Sequence, residues 1–296
     1  MSRILFNRPR AAILKTDGTN CDLETRIAFE KAGANAEIVH INSLIKGHNP
    51  ADNRDYSLKN YQILAIPGGF SYGDYIMSAK IFAEEIKDKL MDQLLQFRDD
   101  GKLIIGICNG FQVLVRLGIL PNISGKNEQE VSLTYNANKS FECRWVKLVK
   151  YNESCFWTKG IESIDLPVAH GEGRFVAPEK ILAQIDSSYK KETYVVFKYA
   201  NELDLPACNE YPENPNGSMR DIAGICDKTG RIFGLMPHPE RYLLPEQHYL
   251  AATQRILRSC IGIEDPCIEK MIRTTKTLPK EGEGLKIFRN AVKYFK

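Results

Sequence analysis

Four short apolar runs, AAILK (11–15), AEIVHI (36–41), YQILAIP (61–67) and KLIIGI (102–107), alternate with stretches of helical periodicity. No other feature constrains the fold as much. Strands joined in this way need crossover connections, which give parallel pairing with helices on both faces of the sheet. The first helix is expected over DLETRIAFEKAGA (22–34). A second is expected over SAKIFAEEIKDKLMDQLLQFRDDG (78–101), where Ile81, Phe82, Ile86, Leu90, Leu94 and Phe97 recur at helical spacing and Gly101 closes the element. In DGTNCD (17–22), Thr19 followed three residues later by Asp22 predicts a capping box at the start of the first helix.

Beyond residue 121 the pattern changes. Residues 121–145 are polar and Asn-rich, which predicts a long surface excursion. From 143 to 235 the chain reads as short strands, CRWVKLVKY, DLPVAH, TYVVFKY, IAGIC and RIFGLMP, divided by turns such as NPNGS (214–218). After 242 it is helical again, most clearly in PEQHYLAATQRILRSCIG (245–262). The expected organisation is an α/β domain over residues 1–242 and a helical C-terminal extension over 243–296. That extension either packs on the same domain or forms a small module of its own.

The 40 basic and 37 acidic residues are interspersed and leave a net charge of +3. Nothing in that distribution marks a nucleic-acid surface. No apolar run approaches the roughly 20 residues of a membrane span, and MSRILFNRPRAAILK lacks the pattern of a signal peptide. The eight cysteines include no CxxC and no Cys/His cluster at zinc spacing, so no metal is expected. Reduced cysteines beside apolar residues suit a cytoplasmic protein.

In an open parallel sheet, chemistry gathers outside the carboxyl ends of the strands. KLIIGI delivers Cys108 to such an end, within Gly106-Ile-Cys108-Asn-Gly110. This is the spacing of a nucleophile elbow with cysteine in place of serine. The helix that follows turns its positive end toward the thiol and would stabilise a thiolate. A core cysteine after an apolar run is the competing reading. GLMPHPERY (234–242) offers a base, with His238 between two prolines at another strand end and Glu240 two residues on. An imidazole there could take the thiol proton while the carboxylate orients the ring. Alone, His-Pro-Glu reads equally well as a loop histidine near a surface glutamate. AIPGGFSYGDY (65–75) and PVAHGEGRF (167–175) end further apolar runs in glycines, where bare amides could face an oxyanion or ligand. Turns of this kind are also common without function. Neither a GxxxxGK[ST] loop nor a dinucleotide fingerprint occurs, so ATP chemistry is expected on another chain.

PGG, GICNGFQ and PHPE, in this order and spacing, resemble the class I (triad) glutamine amidotransferases. The longer strings DGTNCD, PGGFSYGDY, GICNGFQVLVRLGILP, PVAHGEGRF, NPNGSMRDIAGICD and GLMPHPER resemble the branch that serves formylglycinamidine ribonucleotide synthesis in purine biosynthesis. The resemblance implies an open, mostly parallel, flavodoxin-like sheet flanked by helices. It implies that Cys108 attacks the side-chain amide of glutamine, with His238 as base and Glu240 orienting it. The amides of Gly69 and Asn109 would form the oxyanion hole, and Gln112 with the backbone of His170, Gly171, Glu172 and Gly173 would hold glutamine. No cofactor is implied in this chain. ATP and Mg belong to a partner synthetase subunit, which would receive the ammonia and make the amidine from formylglycinamide ribonucleotide, together with a small accessory subunit. The family more often has proline where this chain has Asp17, so loop 17–21 is given no catalytic role. The alternatives are a class I glutaminase serving another acceptor, and a non-enzymatic scaffold that kept the fold or a cysteine hydrolase of a related sheet. A scaffold should have lost part of the triad, yet Cys108, His238 and Glu240 are all present.

Overall fold

The apolar runs become strands β1 (Arg10–Lys15), β2 (Asn35–His40), β3 (Ile63–Ile66) and β4 (Leu103–Ile107). The computed structural model describes residues 8–186, 193–261, 265–275 and 277–296. The strand-rich middle of the chain adds β5 (Glu142–Lys150), β6 (Ser163–His170), β7 (Val195–Ala200), β8 (Ile222–Cys226) and β9 (Ile232–Leu235). All nine join one sheet in the order β2-β1-β3-β4-β9-β8-β7-β5-β6. From β2 to β9 every neighbour is parallel, and from β9 to β6 every neighbour is antiparallel. The chain therefore adopts the expected α/β class, and its middle third continues the parallel half as an antiparallel one. Every residue of β3 and β4 is buried, which is why these runs are continuously apolar. The strand order reverses at β1, whose neighbours leave in opposite directions, and such a switch point opens a crevice at the carboxyl ends.

The helices that matter to the site are α1 (Asp22–Ala32), α2 (Lys80–Lys89), α3 (Met91–Asp99) and α4 (Asn109–Arg116). The tail supplies α5 (Leu250–Ser259), α6 (Pro266–Thr274) and α7 (Leu285–Tyr294). No helix among the described residues is long and apolar enough to cross a membrane.

Local details depart from the sequence reading. The capping box on α1 does not form: Cys21 is the N-cap, and Thr19, held in a bridge to Gly69, accepts through Oγ1 from the Thr16 N–H at 3.2 Å. The helix expected over 78–101 is two helices, broken at Leu90 (φ −130°). Leu90, Leu94 and Phe97 are all buried, so the apolar spacing runs through the break without registering it. The polar excursion is anchored as well. Its Ser132–Thr134 strand pairs antiparallel with Arg174–Val176, and Val131 and Leu133 are buried.

The tail closes against the first half of the chain. Helix α7 buries Leu285, Ile287, Phe288, Ala291 and Val292. Phe288 meets Phe29 of α1 edge-on, with ring centroids 4.9 Å apart. Ahead of α7 the chain passes so near the PHPE segment that a Cβ on Gly284 would lie 2.1 Å from the Pro239 carbonyl oxygen. Phe288→Ala is therefore expected to cost about 3–5 kcal/mol of stability. Chemical denaturation of the two proteins measures it, and a loss near zero would mean that α7 is not part of the cooperative unit.

Candidate active site

Cys108 sits at the junction of β4 and α4 with φ 50° and ψ −107°, a strained conformation for a residue with a side chain. The glycines around it explain the turn. A Cβ on Gly106 would lie 2.5 Å from the Gly110 carbonyl oxygen, and one on Gly110 would lie 1.8 Å from that of Ile66. Neither position can carry a side chain while β3, β4 and α4 pack as they do.

Strand β9 runs parallel beside β4 with Leu235 opposite Ile107, and the Cys108 N–H donates to the Leu235 carbonyl at 2.8 Å. The same register carries the chain leaving β9 to the thiol. His238 and Glu240 are buried there at 2% and 1% exposure. His238 Nδ1 lies 2.7 Å from Glu240 Oε1. The opposite nitrogen, Nε2, is buried without a hydrogen-bond partner among the described residues. Burial works against a charge on this ring. The Glu240 carboxylate, and then Cys108, outweigh it and hold the imidazole well above its usual pKa. Gly68 makes the approach possible: a Cβ on it would lie 2.8 Å from His238 Cε1 and 3.4 Å from Cys108 Cβ.

The strand end at His170 lies against the same point. The Cys108 thiol reaches the Ala169 carbonyl at 3.9 Å. Gln112, on α4, donates through Nε2 to the Glu172 carbonyl at 2.5 Å and accepts from Asn109 Nδ2 at 3.2 Å. Of the residues named in the sequence as holding a substrate, His170 turns its ring into the protein. Its Nδ1 pairs with Asn136 Oδ1 at 3.2 Å, and a Cβ on Gly173 would lie 2.4 Å from the ring. Burial, with His238 nearby, pushes its pKa down to about 3, so the imidazole is neutral. Asn136 Oδ1 also accepts from the Gly173 N–H at 3.0 Å, and Asn216 Nδ2 donates to the Gly173 carbonyl at 2.9 Å. These two asparagines shape the backbone of residues 170–173. Neither was singled out in the sequence, although Asn216 lies in the quoted NPNGS turn. The backbone amides of Gly69 and Asn109 form no hydrogen bond among the described residues.

A second thiol, Cys21, was also missed. It is buried, and its Sγ lies 3.3 Å from where a Gly68 Cβ would be. Arg241 donates to it through Nη2 at 3.1 Å while pairing with Glu24 at 2.9 Å. Burial pushes the Cys21 thiol up. One ligand atom each from Cys21, His238 and Glu240 lie within 4.8 Å of one another. His238 and Glu240 already bond to each other, however, and Arg241 sets a positive charge beside the third. A thiol, an imidazole backed by a carboxylate, and two unbonded amides form an arrangement that can carry covalent acyl transfer without a metal.

Comparison with known proteins adds an independent line. The model of the CobB/CobQ-like glutamine amidotransferase domain matches residues 8–295. The chain is 43% identical over 290 residues to the phosphoribosylformylglycinamidine synthase subunit PurQ of Methanococcus maripaludis, covering 97% of each. It is 41% identical over 290 residues to the subunit of the same name from Dehalococcoides mccartyi, covering 98% of each. Among solved structures, that of PurLQS from Thermotoga maritima aligns with a TM-score of 0.65 and 29% identity, over 98% of this chain and 100% of that one.

Proposed function

Because the chain belongs to the CobB/CobQ-like glutamine amidotransferase family, we propose that Cys108, His238 and Glu240 are its catalytic triad. The activity is that of the glutaminase subunit of phosphoribosylformylglycinamidine synthase, in purine biosynthesis. Glutamine is hydrolysed to glutamate, and the ammonia goes to a synthetase subunit that makes formylglycinamidine ribonucleotide. The observation that carries the triad is the convergence of two adjacent parallel strand ends, β4 bearing the thiol and β9 leading to an imidazole held by Glu240 at 2.7 Å.

In this reading the Cys108 sulfur attacks the side-chain carbonyl carbon of glutamine, and His238 holds the thiol proton. The oxygen gains the displaced electron pair and is met by the Gly69 and Asn109 amides. As the C–N bond breaks, His238 returns its proton to the departing nitrogen, which leaves as ammonia. A γ-glutamyl thioester remains. His238 then takes a proton from water, the hydroxide expels the sulfur, and glutamate is released with the thiol restored. Gln112 holds the Glu172 carbonyl in place, and the His170 ring acts through the backbone of Gly171 to Gly173, so these residues form the wall against which glutamine lies. ATP and Mg serve the synthetase subunit, and a small accessory subunit completes the complex, consistent with the PurLQS relative. We place the protein in the cytoplasm, and α7 within the amidotransferase domain because its residues are buried against α1.

A glutamine-like diazoketone, incubated with the chain and its synthetase subunit, should modify one residue, Cys108, and remove glutamine-dependent amidine formation. Peptide mass spectrometry reads the position. Labelling elsewhere, with Cys108 unmodified, would overturn the assignment.

A further inference from the structure

Between β3 and α2, residues 70–79 form a strap that no part of the mechanism uses. Tyr72 (φ 56°), Gly73 (73°) and Asp74 (49°) lie consecutively in the left-handed region, and Ala79 (62°) joins them. Residues with a side chain hold such angles only where their surroundings enforce them. Here the enforcing contacts run to the residue after the nucleophile. Ser71 Oγ donates to Asn109 Oδ1 at 2.6 Å. Asn109 Nδ2 donates to Asp74 Oδ2 at 3.3 Å and Oδ1 at 3.4 Å. Asp74 Oδ1 also accepts from the Ala79 N–H at 3.0 Å, closing the strap on itself. Farther along, the Ser78 carbonyl accepts from Arg116 Nε of α4 at 2.9 Å.

Asn109 is 1% exposed, and its remaining donor goes to Gln112. Its side chain is therefore fixed on both sides, while its own backbone N–H, one peptide from Cys108, is unbonded among the described residues. That N–H points where the Cys108–Asn109 peptide plane points. The plane follows a strained Cys108 on one side and an anchored Asn109 on the other. An oxyanion donor works only when its direction is set before charge develops.

We propose that Ser71 and Asp74 are positioning residues for glutamine hydrolysis, acting through the Asn109 side chain to aim the Asn109 amide. The proposal rests on the reading of Cys108 as nucleophile and Asn109 as oxyanion donor. Neither strap residue touches glutamine in this scheme. The competing role for a carboxylate at this place is to bind the substrate α-ammonium, which would appear in KM.

The test uses the chain assembled with its synthetase subunit, and glutamine turnover as the assay. Ser71→Ala and Asp74→Ala should each lower kcat about tenfold and leave KM for glutamine within about twofold, a fraction of what full loss of an oxyanion donor costs. Asp74→Asn, which keeps one acceptor oxygen, should recover part of the loss. In an Asn109→Ala background the same strap substitutions should add less than about twofold, because the link through which they act is gone. Alkylation of Cys108 by iodoacetamide should keep its wild-type rate in all of them, since the thiol and imidazole are untouched. A raised KM with unchanged kcat, a full effect in the Asn109→Ala background, or a parallel loss of Cys108 alkylation would each overturn the proposal. Wild-type protein that turns over no glutamine would instead overturn the glutaminase reading beneath it.

Discussion

Replacing Cys108 with alanine should remove glutamine-dependent amidine formation by the assembled complex by about 10⁴-fold or more, while added ammonium continues to support it. The split follows from the division of labour. Alanine at 108 cannot form the proposed thioester, so no ammonia should be released from glutamine. The synthetase step needs ammonia and not the thiol. The substitution is also the mildest the elbow allows. Alanine keeps the Cβ already present at φ 50°, and it adds nothing to a turn where Gly106 and Gly110 have no room to spare. Parallel assays with glutamine and with an ammonium salt, on the same preparation, make the comparison. Loss of both activities would assign Cys108 to the structure of the assembly. Retention of the glutamine-dependent rate would remove it from the chemistry.

Some of this site could be read from the chain and some could not, and the difference is physical. The elbow is legible because its glycines answer to local sterics: Gly106 and Gly110 are four residues apart and meet each other directly. His238 is legible because its orienting partner Glu240 is two residues away. The parallel half of the sheet is legible because burial on both faces leaves continuous apolar runs. What was missed depends on pairs far apart in sequence. Ser71 and Asn109 are 38 residues apart, as are Ser78 and Arg116, and nothing in SYGDY announces which residue it will grip. His170 shows the limit most plainly. Its place in a glycine-ended strand brought it to the right region, but the direction of its ring is set by Asn136 and Asn216, 34 and 46 residues away. In the sequence Gly68 reads as part of a bare turn, whereas its effect is to leave the gap in which His238 and Cys108 meet. The tail was legible as helical, but its seat on α1 was not, since two apolar faces do not declare their partner.

His238→Ala should slow thioester formation by about 10³-fold or more, the largest effect expected of any residue other than the nucleophile. In the proposed triad the ring has two separate jobs, one on each nitrogen. Through Nε2, buried and without a hydrogen-bond partner among the described residues, it would exchange protons with sulfur and the leaving nitrogen. Through Nδ1 it answers to Glu240, whose carboxylate holds the imidazole pKa above its usual value against the cost of its burial. A second substitution separates the two. Glu240→Gln keeps a group of the same shape beside Nδ1 but removes the negative charge, so the pKa of His238 must fall. The protonated ring that delivers a proton to the departing nitrogen is then lost at lower pH. The alkaline limb of the kcat/KM profile should accordingly move toward acid in Glu240→Gln, together with a reduced maximum. Rapid-quench measurement of thioester formation across pH, on wild type and both variants, reads both effects. Near wild-type thioester formation in His238→Ala would end the triad assignment. An unmoved alkaline limb in Glu240→Gln would mean that Glu240 orients the ring without setting its charge.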